Sequence, residues 1–325
     1  MRAVRVTRLD GPEALEVLEV DEPDAGDGVL VDVHAAGVAF PDVLLSRGLY
    51  QYRPEPPFTL GAEVAGVVRA APEGATVKPG DRVVGLTMLS GAMAETAVRP
   101  ANQVFELPDS VSFEAGAGLL FNDLTVYFAL ITRGRLAQGD TVLVHGAAGG
   151  IGTSTLRLAP ALGASRVIAV VSTEDKVEVA RAAGATDVVL ADGFKDSVAE
   201  LTGGKGVDIV MDPVGGERFT DSLRSLAPGG RLLVVGFTGG EIPTVKVNRL
   251  LLNNIEVVGV GWGAWTLTHP GSLAQQWEGL AELLRSGRLA VPQPQVYPLD
   301  QAAEAVASLE NRTVKGKVVL RVRDE

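Results

Sequence analysis

Thr141–Val171, TVLVHGAAGGIGTSTLRLAPALGASRVIAVV, decides the fold. A β-branched run, Thr141 to Val144, leads into a turn carrying Gly146, Gly149, Gly150 and Gly152, with a helical segment next and a second apolar strand, Arg166 to Val171, closing the unit. Strand, glycine turn, helix and strand within about thirty residues form the unit that seats a dinucleotide pyrophosphate. The glycines let backbone N–H groups approach a phosphate, and the helix N-terminus adds partial positive charge. Ala147 stands where GxGxxG has its first glycine, so the flanking strand and helix carry the assignment. An ordinary glycine-rich strand-to-helix turn is the alternative.

The tip of the second strand bears on which dinucleotide. In an NAD-selective site an acid about 20 residues past the motif accepts from the ribose hydroxyls and repels a 2′-phosphate. Here the strand ends Val170-Val171-Ser172-Thr173 with no acid at its tip. Ser172 and Thr173 offer hydroxyl and backbone donors, and Lys176 offers a point charge, which favours NADPH over NADH. Glu174 and Asp175 argue for NADH instead, and Lys176 is open to a second reading as a solvated helix residue paired with a neighbouring acid.

With 325 residues the chain exceeds one typical core, so two domains are expected. From Met1 to about Pro108, short β runs (29–34, 61–70, 81–87 and 92–98) are punctuated by turns such as Lys78-Pro79-Gly80-Asp81. That pattern predicts a partly barrel-like β domain. Residues 112–132 have helical period, with Asp109 or Ser110 as the cap.

The middle then alternates strands at 141–145, 166–171, 187–190, 207–212, 231–237 and 255–260 with helical stretches. Continuous Val/Ile/Leu runs suit strands buried on both faces, and so predict a six-stranded doubly wound parallel sheet. After Gly261 come an irregular WGAWTLTHP, a helix over 271–286, a strand at 295–297, a helix over 299–309 and a strand at 316–322. Of these, only the last is expected to extend the β domain. The predicted domains are 1–119 with 262–325, and 120–261.

A formal net charge of −11 opposes a broad footprint on nucleic acid or an anionic membrane. The N-terminus has no apolar signal region, and no stretch approaches 18 uninterrupted apolar residues, so a cytoplasmic location is expected and no membrane association. The absence of cysteine excludes disulfides, thiolate nucleophiles and sulfur-ligated metal sites. His34, His145 and His269 are widely separated, which leaves no His-rich metal site in prospect. His34 and His145 flank apolar strands and read as core or edge histidines.

Ordered segments carry a resemblance over essentially the whole chain: Gly11-Pro12-Glu13-Ala14-Leu15, AAGVAFPDVLLSRGLY (35–50), LGAEVAGVV (60–68), KPGDRVVG (78–85), LTVYFAL (124–130), HGAAGGIGTSTLRLAPALGA (145–164) and NRTVKGKVVL (311–320). In these the chain resembles the zinc-free quinone oxidoreductases of the medium-chain dehydrogenase/reductase superfamily. The resemblance implies an α/β protein with a GroES-like, partly barrel-shaped β domain and a Rossmann dinucleotide-binding domain. Compared with the zinc-dependent branch, the catalytic cysteine falls at Ala39 and the metal-binding histidine at Ala62, though the adjacent acid persists as Glu63.

Without a Lewis acid, the suited chemistry is hydride addition to an acceptor already activated by conjugation, a quinone or α,β-unsaturated carbonyl. By resemblance, Gly149, Gly150, Ile151 and Gly152 hold the pyrophosphate, Ser172 and Lys176 the 2′-phosphate, and Gly236 and Phe237 the nicotinamide side. The same comparison sets Thr125 near the nicotinamide ribose, Arg312 near the adenosine phosphate and Tyr50 beside substrate as a hydrogen-bond donor. Thr125 reads equally as a helix residue bonding its own backbone, Arg312 as a surface charge, and Tyr50 to Tyr52 as an exposed aromatic loop.

Three departures limit the carry-over. Ala39 replaces a common asparagine, leaving its role unfilled or passed to Asn122 or Asp42; Ala191 replaces a tyrosine or histidine; and Pro160 interrupts the helix after the glycine turn. Trp262 and Trp265 suit either a pocket wall or an interface. The strand Ile255 to Val260 is expected to pair with its mate in a homodimer. A 2-enoyl-thioester reductase and a non-catalytic NADPH-binding protein are the rival functions.

Overall fold

The computed structural model describes residues 1–87 and 90–324. Its strands, in chain order, are β1 (Arg2–Val6), β2 (Leu15–Glu19), β3 (Gly28–Val38), β4 (Phe58–Thr59), β5 (Glu63–Ala70), β6 (Arg82–Leu86), β7 (Thr96–Pro100), β8 (Val104–Glu106), β9 (Thr141–Val144), β10 (Arg166–Val171), β11 (Asp187–Leu190), β12 (Val207–Asp212), β13 (Leu226–Val234), β14 (Glu256–Gly259), β15 (Gln295–Pro298) and β16 (Val318–Arg321). They belong to two compact units. The first comprises Met1–Leu124, His269–Arg285 and Val291–Glu325; the second comprises Thr125–Thr268 and Ser286–Ala290.

In the second unit a parallel sheet has the order β11-β10-β9-β12-β13-β14. Counted from β9 this is 3-2-1-4-5-6, the doubly wound arrangement in which ligands bind at the carboxyl ends of the strands where the order reverses. Helices on both faces explain the uninterrupted apolar strands: Leu143, Ile168, Val170, Val210 and Leu232 have no exposed surface.

In the first unit, β15-β16-β3-β5-β6-β8 form one sheet with β7 also paired to β3, and β2-β1-β4 form a small second sheet. β3 is the hub. Its eleven residues pair antiparallel with β5, β7 and β16, and the register with β5 shifts between Leu30 and Val31 and between Val33 and Ala35. Such shifts bend a strand and let a sheet curl toward a barrel.

Several local expectations need correction. Ser112, rather than Asp109 or Ser110, caps the helix that follows, its hydroxyl accepting from the Ala115 N–H at 3.2 Å. The helical stretch over 113–133 contains wide turns at Leu119–Asp123 and Phe128–Arg133, as in the Gly134 N–H bond to the Ala129 carbonyl at 2.6 Å. By length and composition that stretch could cross a membrane, but 78% of its most apolar window is buried, as in a core helix.

WGAWTLT is the helix Trp262–Thr268, with Trp265 packed on Phe128 at 5.5 Å between ring centroids. That packing explains why 262–268 and Thr125 onward share a unit, instead of the chain dividing at 119/120 and 261/262. Ser286–Ala290 joins them, the Ala290 carbonyl accepting from Arg157 Nη1 at 2.8 Å. β15 also enters the β domain, running parallel to β16; its exposed, polar QVYP masked this in the sequence. Pro160 lies one residue from the end of helix Gly150–Ala161, so it disturbs only the final turn.

Candidate active site

Within the dinucleotide-type unit, β9 runs through His145 into the glycine turn and helix Gly150–Ala161. Gly146 has φ of 59°, the left-handed region that favours glycine. Gly152 is required by proximity: a Cβ there would stand 2.3 Å from the Gly146 carbonyl oxygen and 2.5 Å from the Ala147 backbone. Gly149 at the N-cap provides no side-chain cap, so the first-turn amides of Gly150, Ile151 and Gly152 are available to an anion.

His145 anchors the start of this turn from below. It is fully buried, its Nε2 lies 2.7 Å from Ser222 Oγ, and Ser222 donates its own proton to the Arg218 carbonyl. Burial pushes the imidazole down to about 4, so it is neutral at physiological pH and serves packing.

At the tip of β10, Ser172 is exposed and its Oγ lies 3.3 Å from Lys176 Nζ, bringing together the two residues assigned to a 2′-phosphate. Lys176 ends a short helical turn, Glu174–Lys176, whose two acids are both exposed. At the ends of β12 and β13, two loops are stitched together. Asp212 Oδ1 accepts from the Val214 and Gly215 N–H groups at 2.9 Å each, and the Thr238 and Gly239 N–H groups donate to the Pro213 and Val214 carbonyls at 3.1 and 2.9 Å. Gly236 and Phe237, with Phe237 38% exposed, lie in this doubled loop. Asp212, which holds the loop, was not singled out from the sequence. Thr125 is buried at the start of the unit.

In the β unit, Tyr50 follows helix Phe40–Ser46 and packs against the barrel core. Burial and the charge of Asp42 raise its phenol above the ordinary tyrosine range, so it stays protonated at neutral pH. Tyr52 is 48% exposed. Arg312 is exposed and has φ of 57°, in the loop after helix Ala302–Glu310.

The same unit holds a buried charge cluster that the sequence did not disclose. Lys317 Nζ donates to Glu63 Oε1 at 2.5 Å and to the Val38 carbonyl at 3.0 Å, and Glu63 Oε2 accepts from the Phe121 N–H at 2.7 Å. Asp42, 1% exposed, accepts from the Ala39 N–H at 2.8 Å.

Two family models match the chain: "Alcohol dehydrogenase GroES-like domain" over residues 25–109 and "Zinc-binding dehydrogenase" over 150–285. Quinone oxidoreductase-like protein 2 of Rattus norvegicus is 36% identical over 326 residues, covering 99% of this chain and 92% of the relative. The chain belongs to the quinone oxidoreductase family of the medium-chain dehydrogenase/reductase superfamily. It is an oxidoreductase.

Solved members of the superfamily have the same fold from end to end. An oxidoreductase from Mycobacterium abscessus superposes with a TM-score of 0.89 at 42% identity, covering 99% of both chains. Escherichia coli quinone oxidoreductase, determined in complex with NADPH, gives 0.88 at 31% identity, covering 99% of this chain and all of that one.

The zinc-binding label of the second family model does not fit the residues here. Ala39 and Ala62, both buried, offer methyl groups where the zinc-dependent branch has a cysteine and a histidine. The nearby acids are committed, Glu63 to the Lys317 ammonium and one oxygen of Asp42 to the Ala39 amide. Among the described residues no group of three or more His, Cys, Asp or Glu side chains is arranged to hold a metal ion. Alanine methyl groups and a lysine ammonium are not zinc ligands.

Proposed function

We propose that this oxidoreductase uses NADPH to reduce quinones or α,β-unsaturated carbonyls without a metal. The observation that carries the reading is the pairing of an uncapped helix N-terminus in a glycine turn with Ser172 and Lys176 at the tip of the next strand. The relatives' names and the NADPH complex of the E. coli enzyme support the same assignment. When bound, NADPH supplies a hydride.

The chain's own residues do the rest. Gly149, Gly150, Ile151 and Gly152 cradle the pyrophosphate: the Gly149 N–H closes the turn on the Gly146 carbonyl, and the amides of Gly150, Ile151 and Gly152 meet the phosphate and add the helix dipole. Ser172 and Lys176 hold the 2′-phosphate, Thr125 contacts the nicotinamide ribose, Gly236 and Phe237 support the nicotinamide side, and Arg312 approaches the adenosine phosphate. Tyr50, a protonated phenol whose hydroxyl has no protein partner among the described residues, donates to the oxygen on which negative charge develops. Catalysis is then chiefly positioning.

A panel of acceptors from small quinones and enones to enoyl thioesters, assayed with NADPH and NADH in the presence of a chelator, tests this reading. Turnover of quinones or enones with NADPH is the expected result. Turnover confined to enoyl thioesters would assign the chain as an enoyl-thioester reductase, and tight NADPH binding with no turnover would make it a binding protein.

Lys176→Ala is expected to raise the KM for NADPH about tenfold while leaving that for NADH nearly unchanged, since only NADPH carries the phosphate it meets. Equal effects on both cofactors would remove Lys176 from the site.

The Ile255 to Val260 strand supports a homodimer. β14 is the sheet's edge, and beside it Leu251 and Leu252 are 76% and 73% exposed. Sedimentation equilibrium should therefore report twice the 33.8 kDa chain mass, and a monomer at micromolar concentration would reject this interface.

A further inference from the structure

Glu63 is a buried acid for which the proposed function has no use, and its neighbour Ala62 stands where the zinc-dependent branch has a metal-binding histidine. Both of its carboxylate oxygens are nevertheless held. Oε1 accepts from the Lys317 ammonium and Oε2 from the Phe121 N–H at 2.7 Å. The position of Phe121 gives the second bond its meaning. Helix Phe113–Gly116 ends at Ala117, and a new helical stretch begins at Leu119 with Gly118 as its N-cap. Glycine offers no side-chain oxygen, whereas a Ser, Asp or Asn at that place would accept from the amide of the second or third helical residue. Phe121 is the third residue. Its acceptor comes instead from Glu63, 58 positions away in the sequence. A carboxylate there also meets the positive end of the helix dipole.

The surroundings are shaped around this bond. A Cβ on Gly37 would lie 2.3 Å from both Glu63 Oε1 and the Ala117 carbonyl oxygen, and a Cβ on Gly118 would lie 3.1 Å from Lys317 Cγ. Carboxylate, helix end and lysine stem thus close on one another over two glycines.

We propose that Glu63 is a positioning residue for the cofactor. From β5 it caps the helical stretch over 119–133, and so fixes where that stretch starts and the phase in which Thr125, one turn beyond Phe121, meets the nicotinamide ribose. Lys317 holds the carboxylate in place through its other oxygen. The proposal rests on Thr125 being the ribose contact.

Two double variants test it, neither of which leaves a buried charge unpaired. Glu63→Gln with Lys317→Met keeps a side-chain oxygen for the Phe121 N–H; Glu63→Leu with Lys317→Met removes it. With a small quinone as acceptor, the second should have a kcat/KM for NADPH about tenfold below the first. Thr125→Val should slow the first double variant but add little to the second, because the contact it deletes is already misplaced; a merely structural role for Glu63 would make the two losses add. A further readout needs no cofactor: amide hydrogen exchange over 119–127 should be faster in the second double variant than in the first.

Thr125→Val is also made in the native chain. If it leaves kcat/KM for NADPH unaltered, the ribose assignment fails and the proposal with it. If it lowers kcat/KM while the two double variants match in kcat/KM or in exchange, or while the losses add, the positioning role alone is overturned. Should the variant with Glu63→Leu fail to fold, Glu63→Asp decides. It keeps a negative charge for Lys317 but draws the carboxylate back by one methylene from the Phe121 N–H, so slower turnover with faster exchange over 119–127 is expected, and a native value of either overturns the proposal.

Discussion

Replacing Gly152 with alanine should weaken NADPH binding about 30-fold or more, corresponding to roughly 2 kcal/mol, within the usual cost of forcing an atom into a packed site. The new Cβ would lie 2.3 Å from the Gly146 carbonyl oxygen and 2.5 Å from the Ala147 Cα and carbonyl carbon. All three are backbone atoms, so no side chain can rotate aside. The start of helix Gly150–Ala161 must move about 1 Å away from the turn to restore van der Waals contact, and the first-turn amides move with it. Gly149→Ala is the control, because its Cβ would meet only the Gly146 oxygen, at 3.3 Å. Thermal melting and NADPH titration of both variants check the argument. Gly152→Ala should lower Tm and affinity together, whereas Gly149→Ala should leave Tm near native. Native affinity in Gly152→Ala would mean that these amides do not hold the cofactor.

The difference between these neighbouring glycines marks how far the sequence could be read. The parallel sheet was legible because burial on both faces demands strands of continuous Val, Ile and Leu, and β10, β11 and β12 have the expected limits. The nearness of Ser172 and Lys176 was legible because only the short turn that follows β10 separates them. Elements whose formation depends on distant partners were not. Trp262–Thr268 looks irregular until Trp265 meets Phe128, and the strand expected at 295–297 is too polar to read as part of the β domain until β16 pairs with it. Asp42 looks like a surface acid in a short helix, and Lys317 like a charged residue ahead of the last strand. Their burial follows from contacts across the fold, Lys317 lying 254 residues from Glu63.

Lys317→Met should be the most destabilising of these substitutions, lowering the unfolding free energy of the β unit by about 3–5 kcal/mol at neutral pH, as is usual when one partner of a buried ion pair is removed. Lys317 is 5% exposed and Glu63 1%, so water cannot replace the lost ammonium. Glu63 then either keeps an uncompensated charge or takes up a proton, and burial already holds its carboxyl group above the ordinary range. The second course gives the loss a pH dependence with a definite sign. A carboxyl group whose folded pKa is raised contributes stability below its unfolded value, about 4.3, and loses it as pH climbs through the folded value. The deficit of Lys317→Met relative to native should therefore be smaller near pH 5 than near pH 8, where the native pair still holds Glu63 ionised. Adding Glu63→Leu should recover most of the loss, because two apolar side chains of similar volume avoid desolvating any charge. Urea unfolding of the single and double variants at both pH values measures each quantity. A single variant as stable as the native chain would show that the pair does not hold β16 against β3 and β5, and a double variant no better than the single would place the loss in packing instead of charge.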